Sequence, residues 1–488
     1  MKYIPTLSKL VIASLALLLT NCARNPVTGK RELSMMSPEQ EIAIGKESHP
    51  SIVATMGLYE DAKLQAFMNQ KGKAMAAISH RPELPYQFFI VDSPVVNAFA
   101  VPGGYVYFTR GILAHFNNEA EFAGVLGHEI GHITAKHSAR QQSSQLLTSL
   151  AGIAGAILVP QLGESFMQGA QLLQLSYSRA HESESDQIGV GYSSKIGYDA
   201  SKMADFFATI KRIQDNSGQS IPDMMSTHPD PGNRFTKVHE LAKDYQTKNP
   251  GNYQVNRESY LRMIDGLMFG EDPKQGFVEN NMFYHPELKF QFPVPAGWQH
   301  QNSPSQFQMG PKDGKSSVIM MLAKGNSLDE AAQTMVKELN LKVLENAKRT
   351  VNGNQAIVLI SQQLPQQQQG QQQQQQTAAN TLQIGTYLIQ YNNLIYAIHG
   401  LSSAADFERA YPTFRTVSEG FRTLTDPDKI NRKPDRVYVR QAPRAGTFRD
   451  VMTALNMPAS RIEELGVLNS LKADSPVAKG ELVKVISK

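Results

Sequence analysis

Two histidines and a glutamate occur at a spacing that could bring their side chains to one point in space. His128 and His132 are four residues apart, and Glu129 directly follows the first of them. Positions i and i+4 share one face of an α-helix, so both imidazoles can bind the same metal ion. Glu129 lies about 100° round the helix from His128, where a carboxylate can reach a water beside the metal. The pattern predicts a catalytic metal site with two histidine ligands and Glu129 as general base.

A catalytic zinc site needs a third protein ligand and an open fourth position. About fifty residues downstream, the run "AHESESDQIG" brings one histidine and three carboxylates together. On a helix, Glu182 and Asp186 share a face, whereas Glu184 points roughly 200° away from Glu182. We therefore assign Glu182 as the third ligand and Asp186 as the carboxylate that orients a ligand imidazole. The alternative is that this run is a solvated helical face.

Two further histidines lie close to the predicted ligands in sequence. His137 is five residues after His132, and His181 directly precedes Glu182. Each is expected on a different helical face from its neighbouring ligand. We predict that both support the fold or the ligands and do not bind the metal themselves.

The composition limits what kind of protein can carry such a site. The chain has 488 residues, 41% hydrophobic and 19% charged, which suffices for a sizeable core. Its formal net charge of +4 includes two lysines of a segment predicted to be removed, so nucleic-acid binding is not indicated. A single cysteine excludes an internal disulfide framework. Zinc would therefore be held by histidine and carboxylate ligands.

The chain begins with the features of a signal peptide, predicted at residues 1–21. Two lysines precede an apolar run from Leu10 to Leu19, which is short for a bilayer span. Leu19-Thr20-Asn21-Cys22 then resembles the end of a bacterial lipoprotein signal, although the residue before the cysteine is normally smaller than Asn21. The resemblance implies that Cys22 carries lipid, and Ala23 after it implies an outer-membrane address facing the periplasm. The alternative is a cleaved secretory signal followed by an incidental cysteine.

The pattern of helices and strands predicts an α+β protein. Residues 22–265 are expected to form a mainly helical domain with a small sheet, and Ser37, Pro38 and Gln40 mark one helix start. The segments "YQFFIVD" and "YVYFTRG" predict a strand pair, and the metal-site helix is expected from about Glu119 to Arg140. The apolar run at residues 146–159 is too short to span a bilayer comfortably and is expected to form a buried or mobile helix.

The second half of the chain divides into two predicted units. Residues 275–425 predict an α+β domain with a hairpin turn at Asn392-Asn393 and a glutamine-rich loop insertion from Gln362 to Gln376. After a charged linker, residues 433–488 resemble a LysM-type βααβ module, mainly through "LNSL" and "KGELVKVI". That resemblance implies a possible contact with peptidoglycan.

The metal-site motifs together resemble the gluzincin-type zinc metalloendopeptidases that include the CAAX prenyl proteases, HtpX and BepA. Supporting segments are "NPVTGKRELSMMSPEQEIAIG", "NAFAVPGGYVYFTRGIL", "SRAHESESD" and "STHPDPGNR", within about residues 25 to 240. Because no apolar segment after the signal is long enough to span a membrane, the chain resembles the soluble periplasmic branch. What that branch implies is one zinc ion and cleavage of misfolded or stalled envelope proteins.

Two residues of "STHPDPGNR" receive roles from this resemblance. Pro229, Pro231 and Gly232 mark a loop, on which His228 could approach the metal from its open side. His228 would then either occupy the fourth metal position and gate the site or stabilise the developing oxyanion. The alternative is a surface histidine in a turn. Arg234 is expected to anchor the loop through a carboxylate.

The strand before the metal-site helix is a candidate for substrate binding. In "NAFAVPGG", the backbone of Asn97, Ala98, Phe99 and Ala100 could form an exposed edge to which an extended peptide adds as another strand. The alternative is an interior hairpin strand.

The predicted reaction is peptide hydrolysis by metal-activated water. Zinc held by His128, His132 and Glu182 would acidify a water, and Glu129 would take its proton and pass it to the leaving amine. Two other functions stay open. The LysM-like segment and the envelope address suit a peptidoglycan-cleaving metallo-hydrolase, and an envelope chaperone or adaptor could retain a vestigial zinc site.

Overall fold

The computed structural model describes residues 22–33, 36–141, 177–217, 228, 231–364 and 381–488. The predicted signal peptide at 1–21 and the apolar run at 146–159 lie outside the described residues. The glutamine-rich tract also lies outside them from residue 365 onward.

The described residues up to 269 form helices, a three-stranded sheet and a two-stranded sheet. In chain order the elements are β1 (Cys22–Arg24), β2 (Arg31–Leu33), α1 (Pro38–Met56), α2 (Ala62–Ala77), β3 (Gln87–Val91), β4 (Ala98–Val101), β5 (Tyr105–Thr109), α3 (Arg110–His115), α4 (Glu119–Thr134), α5 (Arg179–Lys195), α6 (Ser201–Ser217), α7 (Pro231–Lys248), α8 (Arg257–Met263) and β6 (Met268–Phe269). None of the helices within the described ranges is both long and apolar enough to cross a bilayer.

The start of α1 has the capping interactions that its sequence predicts. The Ser37 side chain accepts a hydrogen bond from the Gln40 backbone N–H, and the Gln40 side chain accepts one from the Ser37 backbone N–H. Pro38 occupies the first helical position, where its missing N–H costs nothing. The predicted helix start is confirmed.

The small sheet has the strand order β3-β5-β4. The two aromatic segments do pair with each other, but β3 and β5 run parallel because the chain crosses over through β4 before β5 begins. β4 returns antiparallel to β5 through a turn in which Gly103 and Gly104 have φ of 85° and 99°. Among the described strands β4 pairs only with β5, so it lies at the edge of the sheet.

The metal-site helix is shorter than expected. α4 ends at Thr134, and Lys136 adopts a left-handed backbone with φ of 57° before a helical turn resumes at 137–141. The Lys136 ammonium lies 2.9 Å from the buried Glu41 carboxylate, which helps to hold this uncommon conformation. The prediction of one continuous helix to Arg140 is therefore wrong, because a tertiary ion pair accompanies a break that helical periodicity does not show.

The middle of the chain forms a seven-stranded sheet, a four-stranded sheet and two longer helices. The elements are the 3-10 turn Pro273–Gln275, β7 (Phe277–Glu279), β8 (Met282–His285), β9 (Phe290–Pro293), β10 (Gln299–Asn302), β11 (Gln306–Gly310), β12 (Ser316–Leu322), α9 (Leu328–Glu338), β13 (Leu341–Val351), β14 (Asn354–Gln363), β15 (Leu382–Tyr391), β16 (Leu394–Ser403), α10 (Phe407–Glu419), β17 (Arg422–Thr423) and α11 (Pro427–Ile430).

The seven-stranded sheet has the antiparallel order β10-β11-β12-β16-β15-β14-β13, and the smaller sheet has the order β17-β9-β8-β7. α9 packs in one apolar cluster with the large sheet and α10 in another. Asn392 and Asn393 have φ of 48° and 62° and join β15 to β16, which confirms the predicted two-residue hairpin.

The C-terminal segment packs onto the first part of the chain. It contains β18 (Asp435–Gln441), β19 (Gly446–Thr447), α12 (Phe448–Ala454), the 3-10 turn Ala459–Arg461, α13 (Ile462–Leu468), β20 (Pro476–Val477) and β21 (Leu482–Ser487). β18 pairs with β21 on one side and with β6 on the other. Its apolar residues lie in the same core cluster as those of α4 and α5. The architecture is α+β, as predicted, with the middle region inserted between two paired strands.

Candidate active site

α4 and α5 pack unusually closely because glycines face their contact. A Cβ at Gly127 would lie 2.8 Å from the Gly189 carbonyl oxygen, and a Cβ at Gly131 would lie 2.6 Å from Ser185 Oγ. Ser185 Oγ also donates to the His128 carbonyl at 2.5 Å, tying one helix to the other. Larger side chains would force the helices apart, so the glycines bring the two halves of the candidate site together.

The side chains of the two helices converge at this crossing. His128 Nε2 and His132 Nε2 are 2.9 Å apart, as expected for one helical face. The Glu182 carboxylate of α5 lies 3.4 Å from each of these nitrogens, through Oε2 and Oε1 respectively. Glu182 therefore faces both imidazoles and completes a set of three possible metal ligands.

Two more charged side chains, those of Asp186 and Arg234, contact the candidate ligands on the side away from the metal position. Asp186 Oδ1 lies 2.9 Å from His128 Nδ1, the ring nitrogen that points away from the other donors. Arg234 of α7 donates to both oxygens of Asp186, and its Nη1 lies 2.8 Å from Glu182 Oε2. The Arg234 guanidinium also lies over the Phe207 ring at 4.1 Å. These contacts restrict the orientation of both carboxylates.

His228 lies directly over the three candidate ligands. Its Nδ1 is 3.0 Å from Glu182 Oε1 and 3.3 Å from His128 Nε2, and the residue is buried. Its Nε2 lies 3.7 Å from Glu129 Oε1. The structure thus brings His228 into the site, although it is one hundred residues from His128 in sequence. The prediction that Pro231 and Gly232 lie in a loop is wrong, because these two residues begin α7.

The Glu129 carboxylate lies within the site, and its oxygens accept no hydrogen bond from the described residues. The residue has 0% exposure, and neither carboxylate oxygen has a hydrogen-bond partner among the described residues. Burial raises the pKa of Glu129, while the nearby His228 and His128 oppose that shift. A buried carboxylate with free oxygens can accept a proton from water or substrate, which is the geometry a general base needs.

Burial and neighbouring charges set the protonation of the two candidate histidine ligands. Burial lowers the pKa of His132 well below its usual value, and the neighbouring His128 lowers it further. Burial and Arg234 also lower the pKa of His128, but Glu182 and Asp186 outweigh them and raise it to about 9. In the metal-free site these shifts favour a neutral His132 and a protonated His128 at pH 7.

The charge on Glu182 is also fixed by its surroundings. Burial alone raises the pKa of this carboxyl group, but His228 and Arg234 lower it by more, so the pKa lies well below its usual value. Glu182 is consequently a carboxylate at every physiological pH. An anionic oxygen beside two imidazoles is a donor set that a divalent cation can use.

The arrangement fits a zinc ion. One ligand atom from each of His128, His132, Glu182 and His228 lies within 4.8 Å of the others. His228 Nε2 and both oxygens of Glu129 are buried without a hydrogen-bond partner in the described part of the chain. Because buried polar atoms are normally paired, these free atoms indicate a site made for an ion and its reactants. Two or three imidazoles and one carboxylate are typical zinc ligands.

Sequence reasoning missed a connection between His137 and the candidate ligands. A continuous helix would place His137 about 140° round the axis from His132. The break at Lys136 instead brings His137 Nδ1 to 2.9 Å from His132 Nδ1. Glu184, which points away from the ligand set as expected, lies 3.1 Å from His137 Nε2. The sequence did show a further histidine soon after His132. Whether His137 reaches His132, however, depends on the helix break at Lys136.

Tyr177 was also not singled out from the sequence. Its ring stacks on His132 at 3.9 Å, and its hydroxyl lies 2.8 Å from Ser138 Oγ. The aromatic ring covers one face of the imidazole. Nothing in the spacing of Tyr177 relative to the metal-site motif marked it for this position.

The edge strand β4 lies beside the candidate ligands. It packs against α4, and its residues Ala100 and Val101 line a small hollow together with His132 and Ile133. Asn97, immediately before β4, is buried, and its Oδ1 has no partner among the described residues. Ala98 and Phe99 lie in the strand itself. The edge predicted for substrate binding is thus close to His132.

Comparison with known proteins agrees with this geometry. Residues 62–242 match the family model described as Peptidase family M48. This region of the chain is therefore similar to the peptidases of family M48. It contains the helices α4 and α5 that carry the candidate ligands and the base.

Relatives extend the similarity beyond that region. The putative beta-barrel assembly-enhancing protease of Vibrio cholerae serotype O1 is 31% identical over 263 residues, covering 50% of this chain and 54% of the relative. The beta-barrel assembly-enhancing protease of Escherichia coli (strain K12) is 28% identical over 250 residues, covering 48% and 50%. The mitochondrial metalloendopeptidase OMA1 of Arabidopsis thaliana is 32% identical over 171 residues, covering 35% and 34%. The chain spans about half the length of the beta-barrel assembly-enhancing proteases it matches.

Proposed function

We propose that the protein is a zinc-dependent endopeptidase that cleaves proteins of the bacterial cell envelope. The observation that carries this proposal is the convergence of His128, His132 and Glu182 beside the free Glu129 carboxylate. The match of residues 62–242 to the model of Peptidase family M48 supports the reaction class. The complete ligand set, together with a buried carboxylate that has no hydrogen-bond partner among the described residues, argues against a vestigial site.

In this proposal His128, His132 and Glu182 hold the metal, and Asp186 and Arg234 fix the orientation of the ligands. Zinc bound there would supply Lewis acidity, which polarises a peptide carbonyl and makes water easier to deprotonate. Glu129 takes the proton from the attacking water and later gives it to the leaving amine. The raised pKa of Glu129 suits both steps, because a carboxyl group whose pKa is closer to neutral pH can both accept a proton and return it.

The substrate is proposed to bind as an additional strand along β4. Within the predicted segment Asn97, Ala98, Phe99 and Ala100, the main-chain groups of Asn97 are already hydrogen-bonded to Thr109. Because alternate residues of an edge strand face away from its partner, the main-chain groups of Ala98 and Ala100 would hold an extended peptide, with little dependence on its sequence. The edge position of β4 and its closeness to His132 support this role. Because only extended chains can pair with an edge strand, unfolded proteins would be preferred over folded ones.

His228 is proposed to gate the site. With its Nδ1 beside Glu182 and His128, it lies where a fourth ligand would bind and where substrate must approach. A protease whose active site is always accessible would be hazardous among unfolded envelope proteins. Displacement of His228 by substrate would restrict its activity to times when substrate is bound. The alternative role, stabilising the oxyanion, would place His228 beside the substrate carbonyl during reaction.

The envelope substrates are proposed from the relatives together with the N-terminal sequence. Two relatives are named as beta-barrel assembly-enhancing proteases, and the N-terminal segment resembles a lipoprotein signal. We infer an outer-membrane lipoprotein anchored at Cys22 and facing the periplasm, acting on misfolded or stalled envelope proteins. The LysM-like segment would add contact with peptidoglycan.

The anchor can be tested separately from the activity. Cys22→Ser should move the protein from the membrane fraction to the soluble periplasmic fraction, with its zinc content unchanged. A mature N-terminus mapped to a residue other than 22, or membrane association that persists in the variant, would contradict the lipid anchor.

The proposed activity is tested by metal removal on the full mature chain. Chelation should abolish digestion of casein and of an unfolded outer-membrane protein, and stoichiometric zinc should restore it. Purified murein is the matched alternative substrate, since a peptidoglycan hydrolase would digest it instead. Full casein digestion after complete zinc removal would contradict the proposal, and so would zinc-dependent release of murein fragments without proteolysis.

A further inference from the structure

His132 has a defined partner on each of its two ring nitrogens. Its Nε2 faces the other candidate ligands and lies 3.4 Å from Glu182 Oε1. Its Nδ1 lies 2.9 Å from Nδ1 of His137. Both imidazoles are buried, with 1% and 0% exposure, so water does not compete for this contact. The nitrogen turned away from the metal position is thus held by a second histidine.

The contact continues from His137 to a carboxylate. His137 Nε2 lies 3.1 Å from Glu184 Oε2, and Arg140 Nη1 lies 3.1 Å from the same oxygen. The His181 ring stacks on His137 with centroids 4.4 Å apart and planes 17° apart. His137 is consequently fixed at both nitrogens and on one face.

A metal bound through Nε2 of His132 would leave only one order for the protons of this chain of contacts. A neutral imidazole that binds a metal through Nε2 carries its proton on Nδ1. The Nδ1–H of His132 therefore donates to Nδ1 of His137, which must be the unprotonated nitrogen of that ring. His137 then carries its proton on Nε2 and donates it to Glu184. Each donor meets an acceptor, so one tautomer is selected at every ring.

His128, the other candidate histidine ligand, is also held by a carboxylate, but without an intervening histidine. His128 Nδ1 lies directly against Asp186, whereas His132 reaches its carboxylate, Glu184, through the intervening His137. The left-handed backbone at Lys136 makes this longer connection possible, because it turns His137 back towards His132. A conformation uncommon for a residue other than glycine is thus tied to the geometry of the site.

We propose that His137 and Glu184 are positioning residues that set the tautomer and orientation of His132 and thereby the affinity for zinc. This inference rests on the proposed function in one respect, namely that zinc is bound by His128, His132 and Glu182. Neither positioning residue touches the metal or the substrate. Their effect is therefore measured in metal affinity and not only in activity.

The test compares four single variants of the full mature chain. Zinc dissociation constants are measured by competition with a chelator, and unfolding temperatures are measured on the zinc-free proteins. His137→Leu should weaken zinc binding about 10- to 100-fold, the usual effect of losing such a partner. His137→Asn should recover part of the affinity, because its Oδ1 can accept from His132 where Nδ1 did. Glu184→Gln should lose less than His137→Leu, since an amide oxygen still accepts.

The matched control is a buried histidine away from the site. His399 is 3% exposed, and its Nδ1 lies 2.9 Å from Thr386 Oγ1 in the middle sheet. His399→Leu carries a similar cost of removing a buried imidazole, so it should lower the unfolding temperature and leave zinc affinity unchanged. A change in affinity specific to the His137 and Glu184 variants separates positioning from general destabilisation.

A further comparison covers the case in which His137→Leu does not fold. In His137→Asn/Glu184→Gln, the second change should add little, because the link to Glu184 is already lost at His137. Wild-type zinc affinity in His137→Asn, Glu184→Gln and their double variant would overturn the proposal. By contrast, failure of the wild type to bind zinc, or unaltered binding in Glu182→Ala, would overturn the proposed function itself.

Discussion

Phe269 of β6 and Asp435 of β18 are directly paired across two antiparallel strands. The residues between them form the middle sheets, so the chain leaves one sheet and re-enters it at a neighbouring strand. Paired strands have Cα atoms only about 5 Å apart. The middle region is therefore an insertion whose two ends almost touch.

We expect the insertion to be removable without loss of the metal site. Replacing residues 271–433 by a short glycine-serine linker should leave a protein that unfolds cooperatively and binds one zinc ion. The linker need span only the distance between paired strands, and the core cluster around α4 contains no residue of the insertion. Thermal unfolding and metal analysis of the purified variant check this expectation.

Truncation after residue 432 is the matched comparison, and it should fail. It removes Val437 and Val483, which share the core cluster with Leu126 of α4. It also removes Lys484, whose buried Nζ donates to the carbonyls of Ala114 and Phe116, shortly before α4. A truncated chain that still folds and binds zinc normally would mean that the C-terminal segment is an independent module.

Glu129→Gln should retain zinc and lose peptide hydrolysis. The change leaves every candidate ligand in place and removes only the group that accepts the proton. Loss of a general base typically costs about 10²- to 10⁴-fold in rate. Zinc content and casein hydrolysis measured side by side check this. Near-normal hydrolysis in a zinc-loaded variant would exclude Glu129 as the base.

His228→Ala should raise hydrolysis at unchanged zinc content if His228 gates the site. Removing its ring opens the space beside Glu182 and His128 and frees the approach of substrate. Initial rates on an unfolded substrate, with zinc content measured on the same sample, give the answer. Reduced kcat with zinc retained would instead assign His228 to the transition state. Unaltered turnover would contradict both roles.

Zinc affinity should increase with pH up to about pH 9. Glu182 and Asp186 outweigh burial and raise the pKa of His128 to about 9, so zinc must displace its proton below that pH. Each pH unit below 9 should weaken binding about tenfold through this group. Asp186→Asn is the control, because losing one carboxylate lowers the pKa of His128 and moves the dependence to lower pH.

The zinc-free protein should show the opposite trend. His128 has a higher pKa in the folded chain than its usual 6.5, so its protonation stabilises the fold fully below pH 6.5. That stabilisation is lost as pH rises through about 9. Unfolding temperatures measured in chelator across this range should therefore fall with pH, and a flat profile would contradict the raised pKa.

Sequence alone determined the parts of the site that depend on helical periodicity. The placement of His128 and His132 on one face, and of Glu182 and Asp186 on another, follows from positions four residues apart. These features are local, so the amino-acid order predicts them directly.

Only the tertiary structure decided how separate segments meet. The partnership of His137 with His132 depends on the left-handed Lys136, whose ammonium pairs with Glu41 from a distant helix. The parallel pairing of β3 with β5 and the pairing of β6 with β18 likewise join segments far apart in sequence. Such contacts depend on which surfaces are buried together, and periodicity within one segment does not specify its partner.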